Sequence, residues 1–304
     1  MAAKRNLIVG LVILFLFLGI GFLAAVAYFS SGAGYGETEN GVFPIGAKVA
    51  IVDVTGVITG SSEVVRQLKK YAEDGSVKSV VLRIETPGGA VSPSQEIYDA
   101  VLKAKEKKSV VASMGTVAAS GGYYIACAAD SIVANPGTLT GSIGVIFEFP
   151  VFGELFKKIG IKTEVVKSGE LKDVGSPTRP MTEKERQMLQ AVINDVYDQF
   201  VEAVVKNRGM ERSKVLALAD GSVFTGRQAK ANGLVDRLGN FEDAIHLAGK
   251  MGGIDGEPRT VKEKKYRRRT LFDFAAEEIF GKGMELPEEL RDMLSPGLKY
   301  LYKM

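Results

Sequence analysis

The sequence predicts a layered α/β domain behind one N-terminal membrane-spanning helix. Three observations carry that prediction. Short β-branched runs alternate with amphipathic helical patterns from Lys48 to Met251. Two glycine-rich turns follow buried-looking strands. An uncharged apolar run, Leu7 to Phe29, precedes everything else and reaches the length of about 20 residues that a helix needs to cross a bilayer.

The elements follow in order. Lys4 and Arg5 precede the apolar run, whereas Ser30 to Ala47 holds no Lys or Arg, so the N-terminus stays cytoplasmic and the bulk of the chain lies outside. Ala25-Val26-Ala27 is similar to a cleavage site, but the run exceeds the core of a signal peptide, which is about 7–15 residues; an anchor is expected. The glycine-rich stretch after it reads as a tether. Lys48–Thr55 is a strand, Ser62–Glu73 a helix with Val64, Val65, Leu68 and Ala72 on one face, and Val77–Ile84 a second strand. Ser92-Pro93 with Gln95 supplies an N-cap and first-turn proline for a helix lined by Ile97, Val101 and Ala104. Strands are expected at Ser109–Met114, Ser131–Ala134 and Ile143–Phe149, with a helix over Tyr123–Ala129. Thr182 and Glu185 form a capping box for the longest helix, reaching Asn207, and Thr225 with Gln228 repeats the box before Gly233. The expected domains are 1–29 anchor, 30–47 linker, 48–253 globular domain and 254–304 extension, the last opening with a basic run from Lys262 to Arg269. That run reads as a solvated face or, more sharply, a membrane-surface or inter-subunit contact.

Composition removes several function classes. With 46% hydrophobic and 25% charged residues the chain buries a real core, and a net charge of +3 makes no case for nucleic acid. Cys127 is the lone cysteine, no Cys/His cluster has metal-ligand spacing, and no cofactor is expected. The single histidine, His246, sits among Ala244, Ile245, Leu247 and Ala248 and reads as a helical packing residue, so a hydrolase here needs another base.

The chemistry concentrates at the glycine turns. Ser120 stands between a strand and Gly121-Gly122, where a hydroxyl projects from a sheet beside helix N-terminal amides. The amide of Gly121 and one from Gly88 or Gly89 are placed to hold the oxyanion of a tetrahedral intermediate. A serine needs a base, and with histidine set aside a lysine leads; Lys167 and Lys172 are the candidates, and spacing does not choose between them.

Five segments resemble the signal peptide peptidase A (SppA) family, in family order: Leu82 to Gly89, Ala118 to Ala126, Thr138 to Val145, Lys167 to Asp173 with Ser176 to Arg179, and Phe224 to Gly239. The resemblance implies a ClpP/crotonase-like fold of repeated β-β-α units and a Ser/Lys dyad. Ser120 would be the nucleophile, Lys172 the base, Ser142 the residue that orients the lysine, and Gly88, Gly89 and Gly121 the oxyanion donors. The half-length family form that the chain resembles implies an octameric ring with each dyad shared between protomers, and peptide substrates such as cleaved signal peptides. Glu85-Thr86 departs from the family pattern, where Asn-Ser is frequent. Two rivals stand beside this reading: an acyl-CoA-processing enzyme of the same fold, and a catalytically degenerate scaffold at the membrane.

Overall fold

A computed structural model describes residues 46–263 and the backbone of 299–301. The expected anchor over 1–29, nearly all of the linker and the basic run beyond Glu263 lie outside the described residues. Among the described residues no helix is long and apolar enough to cross a membrane.

Parallel strands buried on both faces make the centre. β1 (Lys48–Thr55), β2 (Val77–Thr86) and β4 (Ser109–Ala119) run parallel side by side, with α1 (Ser62–Glu73) and α2 (Val91–Lys105) as their crossovers. The first half of β4 pairs with β5 (Ser131–Ala134), and its last residues pair with β6 (Leu139–Gly141). β7 (Val223–Thr225) closes one edge antiparallel to β6, β8 (Arg237–Leu238) pairs with β5, and β9 (Arg259–Lys262) adds to β1. The short β3 (Gly88–Ala90) leaves this sheet just after the β2 turn and pairs antiparallel with β10 (Lys299–Leu301).

Strand alternation explains the two cores. Val49, Ile51, Val81, Val111 and Val133 face α8 (Phe241–Met251), which lays Ala244, Ile245 and Ala248 on them. Val52, Val54, Leu82, Ile84, Val110 and Met114 face the other way into the larger core. There α1, α2, α3 (Gly121–Ala126) and the C-terminal half of α5 (Glu183–Arg208) cover them. α4 (Gly153–Lys158), α6 (Arg212–Leu216) and α7 (Gly226–Asn232) complete the helices among the described residues.

Most elements fall where the pattern puts them, and the capping boxes at Thr182 and Thr225 form with both hydrogen bonds. Three expectations are corrected. α2 begins at Val91, one residue before the expected Ser92 cap, and the Ser94 hydroxyl donates back to Ala90 O at 2.8 Å. The strand expected at Ile143–Phe149 is irregular backbone; the strand lies earlier, at Leu139–Gly141, because Thr138 and Thr140 hydroxyls tie this segment to the carbonyls of Gly115 and Ala118, each at 2.7 Å. α5 is half packed: Val196, Phe200 and Val204 are buried, whereas Val192, expected on the same face, is exposed beyond the body.

Candidate active site

Ser120 is held in a strained turn. Its φ of 53° and ψ of −114° lie in a region that costs a non-glycine residue about 1–3 kcal/mol. The surroundings enforce it from both sides: Ser120 N donates to Gly141 O at 2.8 Å, and Tyr124 N donates to Ser120 O at 2.8 Å. α3 is fixed from behind, where Tyr124 packs its ring 4.8 Å from Tyr98 and 5.0 Å from Phe200, and Tyr123 donates to Leu234 O at 3.1 Å. The result is a hydroxyl that is buried yet has no hydrogen-bond partner among the described residues. Buried hydroxyls are nearly always paired; Ser79 Oγ shares the exception, and what sets Ser120 apart is its strained turn beside the open amides of α3.

The amides of Gly121, Gly122 and Tyr123 open α3 and so lack partners within the helix. Gly122 is the contact point between this turn and the first glycine turn: a Cβ there would stand 2.7 Å from Thr86 Cγ2. Glycine therefore lets α3 sit directly on the end of β2.

On the Gly88-Gly89 side, Thr86 is buried and its hydroxyl organises the turn. It donates to Gly56 O at 2.5 Å and accepts from Gly88 N at 3.0 Å. Gly88, with φ of 107°, thus has its amide engaged. Ile58 N donates to Gly88 O and Ala90 N donates to Ile58 O, so one edge of β3 is taken by Ile58. Strand alternation turns the peptide N–H and C=O of Gly89 to the opposite edge, where Tyr300 of β10 stands across from it. This edge accepts an extended strand.

Ser142 follows Gly141, which pairs with Ala119, so Ser142 and Ser120 leave adjacent strands side by side. Ser142 is buried, has φ of 50°, and donates its amide to Ser222 O at 2.8 Å.

The two lysines separate. Lys167 Nζ is committed to Asp173 at 2.5 Å and to Glu170 O at 2.9 Å. Lys172, in the 3₁₀ turn Glu170–Asp173, is exposed, and among the described residues no hydrogen bond or ion pair reaches its ammonium. Arg179 clamps this turn: it holds both Asp173 oxygens, at 2.9 and 3.2 Å, and both Glu185 oxygens. Glu185 in turn caps α5 by accepting from Thr182 N at 2.8 Å. Ion pairing to Arg179 first, then Lys167, pulls Asp173 down to about 2, and Arg179 does the same to Glu185, also about 2. Within one chain Ser120 and Lys172 are not bonded to each other, since Ser120 Oγ has no partner among the described residues.

Neither alternative nucleophile system is assembled. His246 is half exposed on α8, 3.4 Å from Glu257. Cys127 is fully buried, and burial pushes its thiol up to about 12. Sequence reasoning missed the Thr86 hydroxyl, the Arg179 clamp and the contacts of Glu85, all of which depend on side chains meeting across loops.

Comparison with known proteins gives the arrangement a lineage. The profile of Peptidase family S49 matches residues 102–254, and that of Clp protease matches 47–136, in keeping with a ClpP/crotonase-like sheet. A Synechocystis protein that carries a protease name is 44% identical over 74% of this chain and 82% of its own length. A relative named signal peptide peptidase SppA in Enterococcus faecium is 40% identical over 65% of this chain and 62% of its own length. Protease 4 of Haemophilus influenzae is 38% identical over 66% of this chain, which spans only 34% of that longer protein. With the profile over half its length and these relatives beside it, the chain belongs to peptidase family S49, the SppA family of serine proteases.

Proposed function

We propose that this chain is a membrane-anchored serine endopeptidase that degrades cleaved signal peptides and similar apolar peptides, with Ser120 as nucleophile and Lys172 of a neighbouring protomer as general base. The observation that carries the reading is the buried, partnerless Ser120 hydroxyl beside a row of open helix amides. Three further observations support it. Lys167 is tied up by Asp173 while Lys172 is unbound, which favours Lys172 as the base. Val151, Leu155, Ile159, Ile161, Val165 and Val166, on the segment leading to that lysine, are about half exposed or more, the composition of a surface that a second copy covers. Such a cover would also take the amine out of water, which a lysine base requires. The pairing of β10 with β3 favours a peptide over an acyl-CoA thioester, because a peptide substrate can add to the same edge as a strand.

The steps follow from these positions. A neutral Lys172 amine takes the Ser120 proton as Oγ attacks a substrate carbonyl. The amides of Gly89 and Gly121 receive the oxyanion, each such donor being worth about 3–4 kcal/mol in the transition state. Gly88, with its own amide held by Thr86, shapes the turn that presents Gly89. Lys172, oriented by Ser142, returns the proton to the leaving amine. Water then releases the acyl group from Ser120 and the cycle closes. The apolar run Leu7–Phe29 anchors the catalytic domain on the outer face of the membrane, where spent signal peptides lie.

The test uses the full chain in detergent with an apolar peptide. Ser120→Ala and Lys172→Ala are each expected to abolish turnover, and an acylating inhibitor to add its mass to Ser120 alone. Full activity in Lys172→Ala, or dependence on His246 instead, would contradict the dyad.

A further inference from the structure

The Glu85 carboxylate fills a structural gap beside β4, the strand that leads to Ser120. β2 and β4 pair residue for residue from Ser79 opposite Ser109 to Ile84 opposite Met114, then resume at Thr86 opposite Ala118. Glu85 alone therefore faces three residues of β4: Gly115, Thr116 and Val117. The bulge advances β4 by two residues relative to β2. The last pair is Thr86 opposite Ala118, so Gly88 and Ser120 each follow that shared point by two residues along their own chain segments. In an unbulged pairing Thr86 would stand opposite Thr116, and Ala118 would lie two residues, about 6.6 Å, further along.

A bulge of this size strips amides of their cross-strand carbonyls. Glu85 replaces them. Its carboxylate accepts from Thr116 N at 2.8 Å and from Val117 N at 3.1 Å, one oxygen for each. Gly115 makes the room, since a Cβ there would lie 1.7 Å from Glu85 Oε2. Arg83 braces the same spot, 3.9 Å from Glu85 Oε2, and donates to Ser113 Oγ at 3.0 Å and Met114 O at 3.3 Å. From the other flank the Thr138 hydroxyl holds Gly115 O.

We propose that Glu85 is a positioning residue for catalysis: by satisfying both bulge amides it sets the offset that aligns Ser120 with the Gly88-Gly89 turn. This rests on the reading of Ser120 as nucleophile. The role is specific to a carboxylate, because a side-chain amide offers one acceptor oxygen and its NH₂ cannot receive the second N–H. Misalignment acts in the transition state, so the effect falls on kcat and spares KM.

The experiment measures peptide turnover by the full chain in four variants: Glu85→Ala, Glu85→Gln, Gly115→Ala and the double Glu85→Ala/Gly115→Ala. Glu85→Ala is expected to lower kcat by about tenfold or more with KM within about twofold. Glu85→Gln, which keeps shape and one acceptor, falls between. Gly115→Ala collides with the carboxylate and loses kcat comparably, while the double variant is no worse than Glu85→Ala alone. Unchanged kcat in Glu85→Ala, a loss confined to KM, or additive losses in the double variant would overturn the proposal. Should Glu85→Ala not fold, Glu85→Gln and Gly115→Ala carry the same comparison. Ser120→Ala run alongside keeps the two claims apart: turnover surviving in it would sink the nucleophile and leave the bulge coupling to be read from stability alone.

Discussion

A single side chain decides how Lys172 is presented. Arg179 grips Asp173 and Glu185 with paired N–H groups, joining the lysine turn to the cap of α5. Lysine at 179 keeps the charge but loses the fork, so Arg179→Lys should lower turnover about tenfold and slow acylation of Ser120 by a small probe in step. Acid offers a second check. Asp173 and Glu185 sit near 2 in the folded chain, below the ordinary carboxylate values of about 4. Their contribution is therefore fully present above about pH 4 and drains away as pH falls toward 2. The melting-temperature gap between the native chain and Arg179→Ala should be constant from pH 7 to about 5 and close as pH approaches 2. A gap that persists at the lowest pH would mean that Arg179 acts by packing. None of this clamp was legible beforehand: Thr182 and Glu185 advertised a cap, but nothing in spacing joins Asp173 to Arg179 and Glu185. The turn that carries Ser120 was legible, because strand, serine, two glycines and helix are contiguous.

At the level of elements, local signals did well and long-range ones did not. Capping boxes at Thr182 and Thr225 and the strand at Ser131–Ala134 are written in neighbouring residues. The shift of a strand to Leu139–Gly141 depends on two threonine hydroxyls finding β4, and the bulge opposite Glu85 depends on a register that spans β2 and β4. The β3–β10 pair is of the same kind, joining residues at opposite ends of the domain. It carries a prediction. β10 takes the edge that a peptide substrate would use, so deleting the chain from Lys299 onward should lower KM for an added peptide and leave kcat unchanged. A raised KM would mean that the strand builds the site.

The described domain is a sheet buried on both faces, in which Ser120 Oγ and the Lys172 ammonium are not bonded to each other. Segment 151–166, which leads toward Lys172, exposes several large apolar side chains, and under the proposed reading a second copy covers them. The account stands on that completion in trans. Ser120→Ala and Lys172→Ala chains, each inactive alone, should be unfolded together, refolded as mixed assemblies in detergent and assayed on an apolar peptide. If each site draws its serine from one protomer and its lysine from the next, random mixing restores about a quarter of native activity. Mixed assemblies as inactive as their parents would contradict the shared site.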